Sequence, residues 1–319
     1  MISHPFTAGA AALALLIAAP SAQAETFVRV GGGLAGTFPV FAAKLAELIN
    51  ENIEGVTANV VSGDVEKSQI MIETGELDFN IAPTFMTYQI AEGRGSLGAP
   101  TPNVRHVITL YGSPMQPVAR LGGPSTLAEL DDAPNRVWTG QKSGFFYQVF
   151  APMMQAAGVS PESIEAAGGV IEQYGYLEEV QGFQDGNLDA GIFAGPVPYG
   201  LMQQFEQTPG FQLIGMSEAE LDAFEEILPG MTRFTIPGGS YANNPDDVEV
   251  PFYVNHLVAS AGADPELVYQ VTKLMYENYE AFHGLFAGSE EIDDQDVFAH
   301  NNLAVHEASQ RFFDEVGAQ

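Results

Sequence analysis

The sequence contains no cysteine, and its lysines and arginines number only 11 against 41 aspartates and glutamates. The first absence excludes a disulfide framework, a lipid-modified cysteine anchor and thiolate chemistry. The second leaves a formal net charge of −30. Such a surface repels phosphates and anionic lipid, so nucleic acid is excluded as a partner. The same field opposes the approach of any anionic ligand, which must be held by local donors, and external salt screens it to within ~10 Å. Past residue 24 no apolar run is long enough to span a bilayer, so direct membrane insertion is not expected. No G-x-S-x-G elbow, H-E-x-x-H pair or paired-carboxylate signature stands out. We therefore expect no catalytic residues, no metal site and no cofactor: a binder, not an enzyme.

Residues Ala8 to Ala19 are almost unbroken apolar and small, followed by Pro20 and Ala22-Gln23-Ala24. An A-x-A site after an apolar core shorter than the ~20 residues of a spanning helix reads as a signal peptide over residues 1–24, although its first residues carry no Lys or Arg. Export places the chain in the periplasm, where without disulfides it must stand on its hydrophobic core.

Thr26 to Val30 reads as a strand running into Gly31–Gly36 and then a helix with Phe38, Phe41, Leu45, Leu48 and Ile49 at helical spacing. Thr37 is placed to cap that helix and Pro39 falls in its first turn. Val56–Val61 is a second strand, Ser62-Gly63-Asp64 opens another helix ending at Gly75, and Asp78–Ala82 is a third strand. This alternation predicts a parallel sheet with right-handed crossovers. Val104–Leu110 and Gln116–Arg120 read as two further strands. At Arg136–Thr139 the rhythm restarts: a turn at Gly140–Gly144, a helix from Phe145 to Ala157, and a short helix opened by Ser160-Pro161-Glu162. Gln184–Asn187 before Leu188-Asp189 parallels Glu73–Glu76 before Leu77-Asp78. Two α/β lobes of similar design are expected, lobe one over 25–112 and 213–319 and lobe two over 113–212.

Gly31, Gly33 and Gly36 form a G-x-G-x-x-G between strand and helix, with Asp64 after the second strand. That is the dinucleotide pattern, but an exported chain has little access to such cofactors, and the leader lacks the twin arginine of prefolded export. What survives is more general: a glycine-rich approach to a helix N-terminus offers amide donors to an anionic group. Lys142-Ser143-Gly144 before Phe145 offers the same from the other lobe, with Lys142 either a ligand contact or a solvated surface lysine. His300 and His306 lack a third ligand, and the acidic run Glu290–Asp296 lacks the glycine and terminal glutamate of a calcium loop.

Several segments, in order, carry a resemblance. Gly36-Thr37-Phe38-Pro39, Ser62–Glu66, Thr74–Ile81 and Asn103–Tyr111 come first. Gln184–Ala190 with Gly195-Pro196-Val197-Pro198, then Thr235–Tyr241 and Val268–Lys273, follow. Together they resemble the TAXI-type solute receptors of tripartite ATP-independent periplasmic (TRAP) transporters. The resemblance implies an α/β, two-lobed type II periplasmic-binding-protein fold with a ligand cleft between lobes joined by crossover strands. It also implies TRAP permease membrane subunits as partners and a small organic anion, such as glutamate or 2-oxoglutarate, as ligand. Two departures bear on that ligand. The family's G-x-G-S-G-T turn is Gly140–Phe145 here, one residue shorter, and its V-Q-S-D is Ala82–Phe85. Phe38, Phe85, Phe145 and Phe146 at the cleft would favour a ligand with an apolar or aromatic body, unless some of them point into the lobe cores.

The expected ligand-binding residues are Gly36, Thr37, Phe38 and Ser62 on lobe one, and Lys142, Ser143, Gly144 and Phe145 on lobe two. Thr84, Phe85, Tyr111 and Tyr174 join them from predicted strand ends, and Gly195 and Val197 from the second Gly-Pro turn. The alternatives are a solute-binding protein of an ATP-driven importer and a ligand-sensing protein of a two-component system.

Overall fold

The first strand, β1 (Thr26–Gly31), buries Val28 and Val30 and lies parallel to β2 (Val56–Val61) and β3 (Phe79–Pro83). The computed structural model describes residues 25–34, 36–142, 144–286, 289–292, 297–298 and 301–318. The expected leader, Ser143, His300 and most of the acidic run lie outside these residues. Helices α1 (Phe38–Asn52), α2 (Val65–Thr74) and α3 (Thr84–Ala91) alternate with these strands. Asp64 caps α2 by accepting from the Glu66 and Lys67 amides, and Gly75 closes that helix at φ 74°.

Next come β4 (Val104–Arg120), β5 (Arg136–Trp138), α4 (Phe145–Ala156), α5 (Pro161–Ala166), β6 (Val170–Glu172), α6 (Tyr176–Gln184) and β7 (Ala190–Ala194). They are followed by α7 (Gly200–Gln203), β8 (Phe211–Leu213), α8 (Glu218–Ile227), β9 (Thr232–Ile236), β10 (Val248–Ser260), α9 (Pro265–Glu277) and α10 (Glu307–Val316). The strands pair in the order β2-β1-β3-β10-β4-β7-β5-β6, with β8 also on β4 and β9 on β10.

The two strands expected at Val104–Leu110 and Gln116–Arg120 are one, β4, of 17 residues. It runs antiparallel to the 13-residue β10, with Tyr253 opposite Ser113 and Val254 opposite Gly112. These two strands cross between two hydrophobic cores. The first is built on Val28, Phe41, Leu45, Ile108 and Leu257 and continues to Phe312 and Phe313. The second gathers Met115, Trp138, Phe150, Phe183, Phe193 and Phe211. Residues 213–253, expected with lobe one, send Met216, Leu221, Phe224 and Tyr241 into this second core. The chain therefore changes cores again within β10, because that strand is the one that pairs with both β3 and the distal half of β4.

Each core repeats one device. The Arg29 amide donates to Asp78 Oδ2 at 2.8 Å, and the Asp78 amide donates back to the Arg29 carbonyl. In the second core the Arg136 amide donates to Asp189 Oδ2 at 2.8 Å, and the Asp189 amide donates to the Arg136 carbonyl. This is the physical content of the repeated Leu-Asp pattern: the aspartate after each Gly turn ties the third strand of its unit to the first.

A candidate ligand-binding cleft

Where the paired strands β4 and β10 pass from one core to the other, the protein has a cavity of about 320 Å³. Its walls come from the strand-to-helix turns of both halves, the location expected for a ligand in an open α/β sheet. Gly33, Gly36, Thr37, Phe38, Gly63 and Asp64 line it from the turns after β1 and β2. Gln141, Gly144, Phe145, Phe146, Tyr176, Gly195 and Tyr199 face them, and Ser113 and Tyr253, opposite each other on β4 and β10, form the floor.

The glycine run at the first turn is explained by packing. A Cβ at Gly31 would overlap the Asn80 side chain, and one at Gly32 would lie 2.9 Å from Ala42 and Val60. At Gly33, φ is 65° and a Cβ would sit 2.9 Å from the Phe38 ring. The glycines bring β1 close to α1 and seat Phe38 at the cleft, so the dinucleotide-like spacing needs no nucleotide. Gly195 acts in the same way: a Cβ there would meet the Tyr199 ring at 2.8 Å.

Two helices, α1 and α4, begin at this cavity, and neither Thr37 nor Gly144 caps its helix with a side-chain bond. The positive ends of both helix dipoles therefore lie at the cavity wall. Thr37 instead shares a 2.5 Å hydrogen bond with the Tyr111 hydroxyl. Aromatic rings make the opposite wall. Phe146 stacks on Tyr176 at 4.4 Å, while Phe145 meets Phe146 edge-on at 5.1 Å and Tyr253 at 5.2 Å. Burial pushes the Tyr176, Tyr199 and Tyr253 hydroxyls above their ordinary range, so all three are neutral donors at physiological pH. The Ser113 side chain hydrogen-bonds Tyr253. Tyr176 and Tyr199 lie close enough to perturb each other, yet the buried Tyr176 Oη has no partner of good hydrogen-bond geometry. Among the lining residues Asp64 is the one charged group, and its carboxylate is engaged at the N-terminus of α2.

Of the expected residues, Gly36, Thr37, Phe38, Gly144, Phe145 and Gly195 come together in the cleft. Tyr111 is 2 % exposed and reaches the cavity only through Thr37. Thr84 and Phe85 are buried at the start of α3, with the Phe85 ring against the Phe145 and Tyr253 rings. Ser62 is exposed at the end of β2, beside but outside the lining. Tyr174 accepts the Trp138 indole N–H on its carbonyl, and Val197 packs against the second core. Lys142 is not among the residues that line the cleft; it is exposed and lines a neighbouring groove. Tyr176 and Tyr199 begin α6 and α7 just after strands, so the strand-end rule could have found them. Ser113 and Tyr253 sit in mid-strand, where only the pairing of β4 with β10 makes them a floor.

Solved structures share this frame. PhnD1 from Prochlorococcus marinus (MIT 9301), in complex with methylphosphonate, aligns over 92% of this chain and 97% of its own at 13% identity, with a TM-score of 0.50. XAC2383 from Xanthomonas citri, bound to chloride ion, aligns over 91% and 95% at 12% identity, with a TM-score of 0.49. The alkanesulfonate-binding protein SsuA from Xanthomonas axonopodis pv. citri, bound to MOPS, aligns over 92% and 85% at 12% identity, with a TM-score of 0.46. At these identities the likeness is one of fold: the two-lobed α/β fold of periplasmic binding proteins. Among the described residues no helix is long and apolar enough to cross a membrane. The sequence profile that matches the chain runs over residues 30–317, from β1 through both cores to α10, and by it the protein belongs to the NMT1-like family.

Proposed function

We propose that this protein is the exported solute-binding subunit of a TRAP-type secondary transporter, and that it captures a small organic anion with an apolar or aromatic body in the interlobe cleft. The observation that carries the reading is the convergence of two helix N-termini, α1 and α4, on one aromatic-walled cavity. The acidic end of the ligand takes the helix amides and the neutral hydroxyls of Thr37, Ser113, Tyr176 and Tyr253. Its body lies against Phe38, Phe145 and Phe146, each well-placed ring contact adding ~0.5–1.5 kcal/mol. No lysine is needed, which suits a cleft whose lining holds none. The two lobes are divided at Gly112 on β4 and at Val254 on β10, and closure about those strands brings the two helix ends onto one ligand. Residues 1–24 act as the signal peptide and the site of action is the periplasm. The TRAP assignment draws on the order of motifs from Gly36-Thr37-Phe38-Pro39 to Val268–Lys273.

The test is a thermal-shift screen of the protein from Glu25 onward, in high salt, followed by calorimetry. The panel holds amino acids, oxo acids, dicarboxylates, aromatic acids, phosphonates and sulfonates, with aromatic amines as the opposing arm. A ligand at 100 times its Kd adds ~2.7 kcal/mol to stability, a visible shift. Aromatic or apolar acids are expected to bind, and Phe145→Ala to weaken them about tenfold. Binding of amines alone, drawn by the ring faces and Asp64, would overturn the anion reading.

A further inference from the structure

Seven of the eleven basic residues pair with carboxylates: Arg29, Lys44, Arg120, Arg136, Arg233, Lys273 and Arg311. Arg105 is turned onto the carbonyls of Pro102 and Val104. Lys67, Arg94 and Lys142 pair with no carboxylate among the described residues; Lys67 is exposed on α2, whereas Arg94 and Lys142 line one groove of about 330 Å³ between α3 and α4. In a chain so rich in Asp and Glu, the lining of this groove includes neither. Glu66, on α2, accepts from the Ser96 amide and hydroxyl and from the Leu97 amide, fixing the loop that carries Arg94. On the other side the exposed Glu162 carboxyl is held below its ordinary range by hydrogen bonds from its own amide and from Ser160, and less by Lys142, which forms no ion pair with it. Arg94 is steadied by the Tyr88 ring, 5.3 Å from its guanidinium carbon.

We propose that this groove is a second anion site, separate from the cleft, which holds a small multivalent oxyanion between Arg94 and Lys142. A guanidinium offers a fork of donors to such an ion and an ammonium offers a point charge. Gln89 stands beside them in the groove. The site also touches the cleft mechanically. Phe85, in its wall, packs on Phe145 and Tyr253, and Lys142 shares a turn with Gly144. An ion joining α3 to the turn before α4 therefore ties together two pieces of the cleft wall.

Phosphate, sulfate and citrate, each titrated at constant ionic strength against chloride, are the probes, read by calorimetry and by amide shifts over residues 89–96 and 141–148. Saturable binding of at least one polyvalent ion is expected. Arg94→Gln and Lys142→Gln should each weaken it roughly tenfold, the loss of a charge-assisted contact. Both residues are exposed, so neither change threatens the fold. Lys273→Gln on α9, which removes the same charge elsewhere, and Tyr176→Phe in the cleft should leave it unchanged. Absence of saturation, or binding that survives Arg94→Gln with Lys142→Gln, overturns the proposal. So does a response that follows ionic strength alone.

Discussion

Tyr176 holds a buried hydroxyl at the wall of the cleft, near the Tyr199 hydroxyl and the Ala194 carbonyl but without a partner of good hydrogen-bond geometry among the described residues. A donor left in that condition costs the free protein stability and is recovered when a ligand accepts from it. Tyr176→Phe should leave the melting temperature of the free protein the same or higher while weakening the cleft ligand about tenfold. Unchanged affinity by calorimetry would remove Tyr176 from the ligand's contacts. Gly33 and Gly36 share a left-handed backbone, at φ 65° and 75°, but only Gly33 has a ring within reach of a Cβ. Gly33→Ala should cost ~1–3 kcal/mol in chemical denaturation and displace Phe38, and Gly36→Ala should cost less. Equal costs would show that backbone strain alone governs this turn.

At the level of elements, the Leu-Asp pattern was readable because it is local: a Gly turn, then an aspartate whose neighbours on the first strand follow from the βαβ alternation. Asp189→Ala removes the bond from the Arg136 amide and the ion pair with Arg120. It should destabilise the protein by ~1.5–3 kcal/mol, with loss of hydrogen-exchange protection concentrated in β5 and β7. Loss spread evenly over both cores would mean that the aspartate does not act as a tie within its own unit. The unity of β4 was not readable. Gly112-Ser113-Pro114 carries turn residues, yet β10 supplies opposite partners to all three. Gly112 is needed there because a Cβ would enter the Phe252 ring. Whether Lys142 lines the cleft was not readable for a related reason, since sequence places a residue on a turn but does not say toward which side of the turn its side chain leaves.

At the scale of the whole molecule, the buried histidines set the response to acid. His106 Nε2 meets the Val297 carbonyl at 2.9 Å and so must donate, which leaves its Nδ1 to accept from His256 Nδ1 at 3.0 Å. His256 Nε2 then accepts from Thr87 Oγ1 at 2.7 Å. Burial holds His106 down to about 4 and His256 well below its ordinary value, so both are neutral in the fold. The unfolded chain binds these protons near pH 6.5 and the folded one does not. Their contribution to stability is therefore complete above pH 6.5 and is lost as the pH falls toward 4. Glu179 works in the opposite sense. Burial raises its carboxyl well above the ordinary range, so the fold keeps a proton that the unfolded chain releases, and stability falls as pH rises past the unfolded value. Denaturation from pH 4.5 to 9 should give a maximum between these limits, with Glu179→Gln flattening the alkaline side. A variant that keeps the wild-type alkaline slope would assign it instead to repulsion among the surface carboxylates.

The sequence by itself determined the acidic surface, the absence of thiol chemistry, the α/β alternation and the strand-to-helix turns that would face a ligand. These follow from composition and from short-range periodicity, which act within a few residues. Only the tertiary structure decided that β4 is one strand, that residues 213–253 join the second core, and that Ser113 and Tyr253 make a floor. It also decided that Lys142 looks into a neighbouring groove with Arg94. Each of these depends on pairing across more than a hundred residues or on the direction in which a side chain leaves its turn, and neither leaves a local trace in the sequence.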